Sequence, residues 1–337
     1  MVQFGVYYDF RRDPNRVGQT FEQRYQEVLD QVDLLRDWGY ESIWLTEHHC
    51  TDDGYLPSPL PMIGALSQRA PGLHYGTDLA VAPFGHPLRL AEDAATVAML
   101  TEGRFTLGLG GGYVQREFDA FGVNPRNRPS LVTETVEILR RAFTGETFSY
   151  DGRRFQLKDA KVTPVPTTPP RIGLGGMAPA AIDRAIALGD GFMGAWPSNL
   201  EEYAAGLARA GMAPTDGVIE GMPVWLVIAD DPEREWARVG DHALYMMNTY
   251  ADWGAFPSRF NHRDELLGGG LWQCVEGTRA IEEIVGLVEQ FPQIQDLHFF
   301  GFLPGEPSAS ANERLEYISA KILPELRSRL APAEEKA

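Results

Sequence analysis

Three consecutive groups able to move protons, Glu47, His48 and His49, directly follow the short apolar stretch Ile43-Trp44-Leu45-Thr46. Imidazole and carboxylate side chains exchange protons readily, and the loop just past a buried parallel strand is where barrels and open α/β sheets assemble active sites. The same residues could instead hydrogen-bond neighbouring loops, as most buried polar groups do. A metal site is the weaker reading. Neighbours on a strand point to opposite faces, and the H-x-H and H-E-x-x-H spacings of metal enzymes are absent. A G-x-S-x-G nucleophile turn is absent too.

Two glycine-rich stretches add binding capacity. Gly108-Leu109-Gly110-Gly111-Gly112-Tyr113 fails the dinucleotide-fold spacing, because Tyr113 stands where the third glycine of G-x-G-x-x-G belongs. It still lets a planar or phosphorylated ligand approach bare backbone. Gly173-Leu174-Gly175-Gly176-Met177-Ala178-Pro179 leads from a strand into a helix, where free N–H groups and the helix dipole favour a phosphate. Asp78 lies inside an apolar run and must face the interior or a polar ligand, since an unpaired buried carboxylate is costly. His86, beside Pro87 in a loop, reads as structural.

These groups need elements to hold them. Apolar runs at 3–10, 42–47, 73–81, 105–110, 171–175, 191–195, 223–229 and 296–302 read as strands. Amphipathic segments at 21–38, 59–70, 87–100, 129–143, 178–188, 200–210, 232–250 and 278–290 read as helices between them. This alternation predicts an α/β fold, a single parallel (β/α) eight-stranded TIM barrel spanning 1–330, with a frayed tail at 331–337. Thr20 with Gln23 suggests a capping box, and Gly39 and Gly189 suggest left-handed helix ends. Insertions are expected after strands 4 and 7. The segment 145–170 holds a hairpin signal at Asp151-Gly152, and 251–274 is aromatic and irregular, as lids and binding loops are.

A chain of 337 residues, 44% hydrophobic and with net charge −17, can bury a large core and is a poor match for nucleic acid or anionic membrane. No stretch approaches the ~20 apolar residues of a membrane span, and the start, Met1-Val2-Gln3-Phe4-Gly5, lacks a signal-peptide pattern. Cys50 and Cys274 cannot form a disulfide framework, so a cytoplasmic location is expected.

Taken together, the motifs resemble the bacterial luciferase-like flavin monooxygenases. The resemblance runs through 43–49, Ala82–Pro87 with Leu88-Arg89-Leu90-Ala91-Glu92-Asp93, 103–110, and Glu117-Phe118-Asp119-Ala120-Phe121-Gly122. It continues through Gly175-Gly176, Gly189-Asp190-Gly191, Gly277-Thr278 and Leu323-Pro324-Glu325-Leu326, nearly the whole chain in order. It implies a barrel with FMN at the C-terminal mouth of the strands, where the reduced flavin activates O2 against an organic substrate. His48 matches the histidine implicated in that chemistry. Asp78-Leu79 matches a position where the family often has a non-proline cis peptide under the flavin. Gly110, Gly111 and Tyr113 match the cofactor-lining loop, and Gly176, Met177 and Ala178 the phosphate turn. Luciferase proper has cysteine and arginine at Gly110 and Gly111 and a serine at the phosphate turn, so light emission is not expected and phosphate binding would rest more on backbone amides.

The resemblance also implies a homodimer through the helices at 59–70 and 87–100, with Glu92 near the interface; Leu90, Ala94, Val97 and Ala98 give the second helix an apolar face. Two alternatives remain: a deazaflavin-dependent oxidoreductase of the same superfamily, and a barrel that binds flavin without catalysis. With no nicotinamide fingerprint, a separate flavin reductase is expected to supply reduced FMN. Phe10, Trp44, Trp196, Trp225 and the aromatics of 251–274 suggest a small, mainly hydrophobic substrate.

Overall fold

Strands buried along their whole length, such as Phe105–Gly110 and Asp296–Phe300, need both faces covered, which a parallel barrel wrapped in helices provides. The computed structural model describes residues 2–14 and 18–331. Along the chain run β1 (Gln3–Tyr8), β2 (Ser42–Leu45), β3 (His74–Thr77), β4 (Ala80–Val81) and β5 (Phe105–Gly110). An antiparallel hairpin follows, β6 (Phe148–Asp151) with β7 (Gln156–Ala160), and then β8 (Arg171–Gly175), β9 (Gly191–Met193) and β10 (Ile219–Pro223). The remaining strands are β11 (Leu226–Ile228), β12 (Gln273–Val275) and β13 (Asp296–Phe300). The parallel order β3-β2-β1-β13-β10-β9-β8-β5-β4 closes on itself because β3 and β4 both pair with β5. The result is a closed eight-stranded barrel in which β3 and β4 share one position.

The helices are α1 (Phe21–Leu35), α2 (Pro59–Arg69), α3 (Pro87–Leu100), α4 (Gln115–Ala120), α5 (Arg128–Ala142) and α6 (Pro179–Leu188). They continue as α7 (Pro197–Arg209), α8 (Pro232–Asp252), α9 (Asp264–Gly268), α10 (Gly277–Gln290), α11 (Ser308–Tyr317) and α12 (Leu323–Leu330). The expected capping box forms at α1, where Thr20 Oγ1 accepts from the Gln23 amide at 3.2 Å and Gln23 Oε1 from the Thr20 amide at 2.8 Å. Gly39 takes the left-handed conformation at φ 78, but Gly189 is extended at φ −80, so the second helix ends without a left-handed residue. The hairpin turn of β6 and β7 is held by Glu134 on α5, whose carboxylate accepts from the amides of Arg153, Arg154 and Phe155.

Three sequence expectations need correction. The run 73–81 is not one strand: it breaks at Asp78-Leu79, whose peptide bond is cis. The seventh barrel strand is Ile219–Pro223 rather than 223–229. Glu220 interrupts its apolar pattern and hides it, yet is buried against Arg171, whose Nε lies 2.7 Å away. Leu226–Ile228 instead pairs with Gln273–Val275 in a small parallel sheet outside the barrel. Third, the apolar face of α3 is already covered: Ala94, Val97 and Ala98 join the core with Leu90 packed against it, leaving Glu92, Met99 and Leu100 outward. Of the expected tail, 332–337 lies outside the described residues.

The main core lies between barrel and helices. A second cluster, with Trp236, Met246, Met247 and Trp272, joins the insertion after β10 to Met193 and Phe300 at the barrel's rim. Segment 251–274 thus forms the end of α8, the short α9 and the start of β12.

Candidate active site

At the C-terminal ends of the barrel strands opens a cavity of about 540 Å³, inside the range of roughly 300–1,000 Å³ typical of small-molecule sites. The structure brings His48 and all the residues expected to bind the cofactor to its lining. His48 follows β2, Asp78 and Leu79 break the third strand position, and Gly110 ends β5 with Gly111 and Tyr113 just beyond it. Gly176, Met177 and Ala178 form the turn between β8 and α6. Trp196, Trp225 and Phe256 add apolar walls, Trp196 and Trp225 stacking at 4.3 Å. Phe10 and Trp44 do not contribute. Both are buried elsewhere, and Trp44 fills the barrel interior where a side chain at Gly76 would collide with its ring at 2.2 Å.

The orientation of His48 is not what its neighbours in sequence suggest. Glu47 turns to His49, 2.8 Å away, and its other oxygen accepts from the Val81 amide. His48 is held instead by Glu117 on α4, with Nδ1 2.8 Å from Oε1, and the same oxygen accepts from the His49 amide at 2.7 Å. Glu117 is fully buried. A carboxylate only accepts, so Nδ1 carries the proton in this bond and Nε2 is left for the cavity. Tyr55, Tyr113 and Trp253 surround the ring at centroid distances of 4.7, 5.5 and 4.4 Å. Both His48 and the motif around Glu117 were visible in the sequence, but their pairing across 69 positions was not.

Asp78 reaches inward as well as lining the cavity. Its Oδ2 lies 3.1 Å from His298 Nε2, and His298 Nδ1 faces Asp296 at 3.5 Å. Asp296 accepts from Ser42, and Ser42 Oγ from the Trp44 indole N–H at 3.1 Å. Burial disfavours a charged His298, but hydrogen bonds and charges from Asp296 and Asp78 outweigh it and raise its pKa above the ordinary value. His298 carried no signal in the sequence because its strand otherwise reads as apolar core.

The geometry fits a flavin phosphate at the β8–α6 turn. A side chain at Gly176 would meet Ala181 Cβ at 2.6 Å, so glycine lets this turn close on the start of α6. Arg184, further along α6, lines the cavity half-buried with no carboxylate partner among the described residues, and burial lowers its pKa. Arg128 also lines the cavity and donates to the Gly112 carbonyl at 3.2 Å. Among the described residues no group of three or more His, Cys, Asp or Glu is arranged to hold a metal ion. No helix among them is long and apolar enough to cross a membrane.

A family model described as luciferase-like monooxygenase matches residues 2–273. An F420-dependent glucose-6-phosphate dehydrogenase of Microbacterium testaceum (strain StLB037) is 28% identical over 328 residues, 90% of this chain and 94% of its own length. A 4-hydroxyprotoasukamycin monooxygenase of Streptomyces nodosus subsp. asukaensis is 29% identical over 146 residues, 41% of this chain and 39% of its own. The first two curated matches cover only 38% and 39% of the relatives' lengths. Among solved structures, monooxygenase RslO1 from Streptomyces bottropensis superposes with a TM-score of 0.82 at 20% identity, covering 96% of this chain and 99% of that one. The oxygenating constituent of 3,6-diketocamphane monooxygenase from Pseudomonas putida, in complex with FMN, gives 0.73 at 17% identity, with 96% and 98% covered. At these identities the structural likeness speaks for the fold alone.

Proposed function

The chain belongs to the luciferase-like monooxygenase family, and on that premise we propose that it uses reduced FMN and O2 to oxygenate a small, mainly hydrophobic organic substrate. The observation that carries this reading is His48, fixed by a buried carboxylate at the mouth of a cavity that also holds two open glycine turns. Bound reduced FMN supplies the electrons that activate oxygen. The protein's part is to bind, orient and manage protons. Bare backbone at Gly110 and Gly111 admits a planar ring beside Asp78, Leu79 and Tyr113. The 176–178 turn, the α6 dipole and Arg184 receive the phosphate. His48 Nε2 gives or takes the proton that oxygen transfer requires, while Trp196, Trp225 and Phe256 keep water from the substrate side.

A reductase is the natural source of the reduced flavin, since no nicotinamide fingerprint is present and a structural neighbour is itself named as an oxygenating constituent. We extend the reading to a homodimer through α2 and α3, whose outward residues include Glu92, Met99 and Leu100. A second reading, hydride transfer with a deazaflavin, is favoured by the F420-dependent relative matched over 90% of this chain. Titration with FMN and with F420, followed by oxygen uptake by the reduced complexes, separates the two. Tight FMN binding with oxygen uptake supports the monooxygenase. F420 binding without oxygen uptake would replace it.

A further inference from the structure

Beside His48 the cavity wall carries hydroxyl groups that the proposed proton chemistry leaves unused. Tyr7 on β1, Thr46 after β2, Tyr55, and Tyr250 on α8 all line the cavity. Tyr55 is their hub: its hydroxyl lies 2.8 Å from Thr46 Oγ1, 3.4 Å from the Tyr250 hydroxyl and 3.5 Å from that of Tyr7. The two tyrosine–tyrosine contacts are long beside the usual ~2.7–2.8 Å between hydroxyls. Each hydroxyl carries one proton, and the two long tyrosine–tyrosine contacts can be exchanged for a shorter bond to a guest oxygen.

Arg11 sets the direction of this cluster. It is fully buried with its guanidinium over the rings of Tyr55 and Tyr250, at 4.6 and 5.1 Å from their centroids. Its Nη2 donates to the Tyr250 hydroxyl at 3.4 Å, turning that group's own proton away from the arginine. Asp9 at 2.8 Å and Asp53 at 3.8 Å balance the cation, so the cluster has no excess positive charge for an anion. Burial raises the pKa of Tyr7, Tyr55 and Tyr250, which keeps all three as neutral donors. Trp196, Trp225 and Phe256 line the same cavity.

We propose that the Tyr7–Thr46–Tyr55–Tyr250 hydroxyl cluster is the subsite that selects the substrate, taking the neutral carbonyl or hydroxyl oxygen of an otherwise apolar ring compound. The inference rests on the flavin monooxygenase reading only in calling the guest a substrate. It sets specificity rather than chemistry, because these groups act on the guest's position.

The test is binding to the FMN-loaded protein by ligand-observed NMR, with cyclohexanone, cyclohexanol, methylcyclohexane and cyclohexanecarboxylate as probes. Wild type should bind the ketone or the alcohol more tightly than the hydrocarbon or the carboxylate. The Tyr7→Phe/Tyr55→Phe/Tyr250→Phe triple variant keeps the rings and should lose about tenfold of that preference, the usual order for one hydrogen bond. Its affinity for methylcyclohexane and for FMN should not change. If the triple variant lacks a cooperative melt, the three single variants carry the same comparison, each with a smaller loss. An unchanged preference in the variants, or tighter binding of the carboxylate, overturns the subsite. FMN affinity is read separately, and the probes are repeated on flavin-free protein: a wild type that fails to bind FMN but shows the tyrosine-dependent preference refutes the FMN reading and leaves the subsite standing.

Discussion

Replacing Glu117 by Gln should separate the positioning of His48 from everything else in the site. One Glu117 oxygen accepts both from His48 Nδ1 at 2.8 Å and from the His49 amide at 2.7 Å, while the other is buried without a partner. An amide can preserve the acceptor, but it then places an NH2 group where no acceptor exists. It also gives up the charge that strengthens both bonds. An unsatisfied buried donor costs about 1–3 kcal/mol, so the variant should lose roughly 2–3 kcal/mol of stability. With an unfolding entropy of about 2.1 cal/mol/K per residue, that lowers Tm by about 3–4 °C. Function should suffer more. Without a carboxylate to fix the Nδ1 proton, the ring can adopt the other tautomer and turn from the cavity, reducing product formation about 10–100-fold. FMN affinity should stay within about twofold, since Glu117 does not line the cavity. The assay pairs oxygen uptake, using FMN reduced by a flavin reductase, with hydrogen peroxide yield; the variant should convert more of its oxygen to free peroxide. A variant with lowered Tm but undiminished product formation would make Glu117 a structural bracket only.

Other outcomes follow from the same geometry. His48→Ala should bind FMN nearly as wild type while substrate oxygenation falls about 100-fold or more and peroxide release rises; undiminished oxygenation would make His48 structural. Arg184→Ala should raise the Kd for FMN about tenfold by fluorescence titration and leave riboflavin, which lacks the phosphate, unaffected. Because the folded pKa of His298 is raised, its stabilisation is complete below the unfolded value of about 6.5 and is lost as pH rises through the higher folded value. The unfolding free energy should therefore fall above pH ~6.5, by at most about 1.4 kcal/mol per pH unit from this group, and Tm should fall with it. His298→Gln, compared across the same pH series, should flatten that fall; an unchanged slope would remove His298 as its source. Light scattering at micromolar concentration should give twice the 37.4 kDa of one chain, and a particle of 37.4 kDa would refute the dimer.

Sequence legibility followed how locally each feature is determined. Barrel strands with unbroken apolar runs, such as Phe105–Gly110, could be read because burial on both faces leaves one composition available. The seventh strand was misplaced because Glu220 breaks the pattern at a position where Arg171, far along the chain, neutralises it. The apolar run just after it belonged to a different sheet. Apolarity reports that a strand is buried but not which sheet buries it, and only long-range pairing decides that. The face of α3 misled for a related reason: helical spacing reveals an apolar stripe but cannot say whether the barrel or a second chain covers it.

The same distinction explains the site. The glycine turns and His48 announced themselves because a turn that must admit a ligand, or an imidazole after a strand, is encoded in a few adjacent residues. The groups that orient and tune them are not adjacent: Glu117 lies on α4, His298 on β13, and Arg11 and Tyr250 are 239 positions apart. Each is an ordinary residue in its own segment and gains meaning only from what the barrel brings beside it. Tyr55 shows this most clearly. Alone it is one more aromatic in a loop. With Tyr7, Thr46 and Tyr250 around its hydroxyl it becomes the centre of a polar patch on an otherwise aromatic wall. A barrel keeps its reaction chemistry in short motifs at the strand ends and its substrate choice in contacts between distant segments. A member of this family can therefore be recognised from sequence well before its substrate can, and the substrate must be sought in groups such as this hydroxyl cluster.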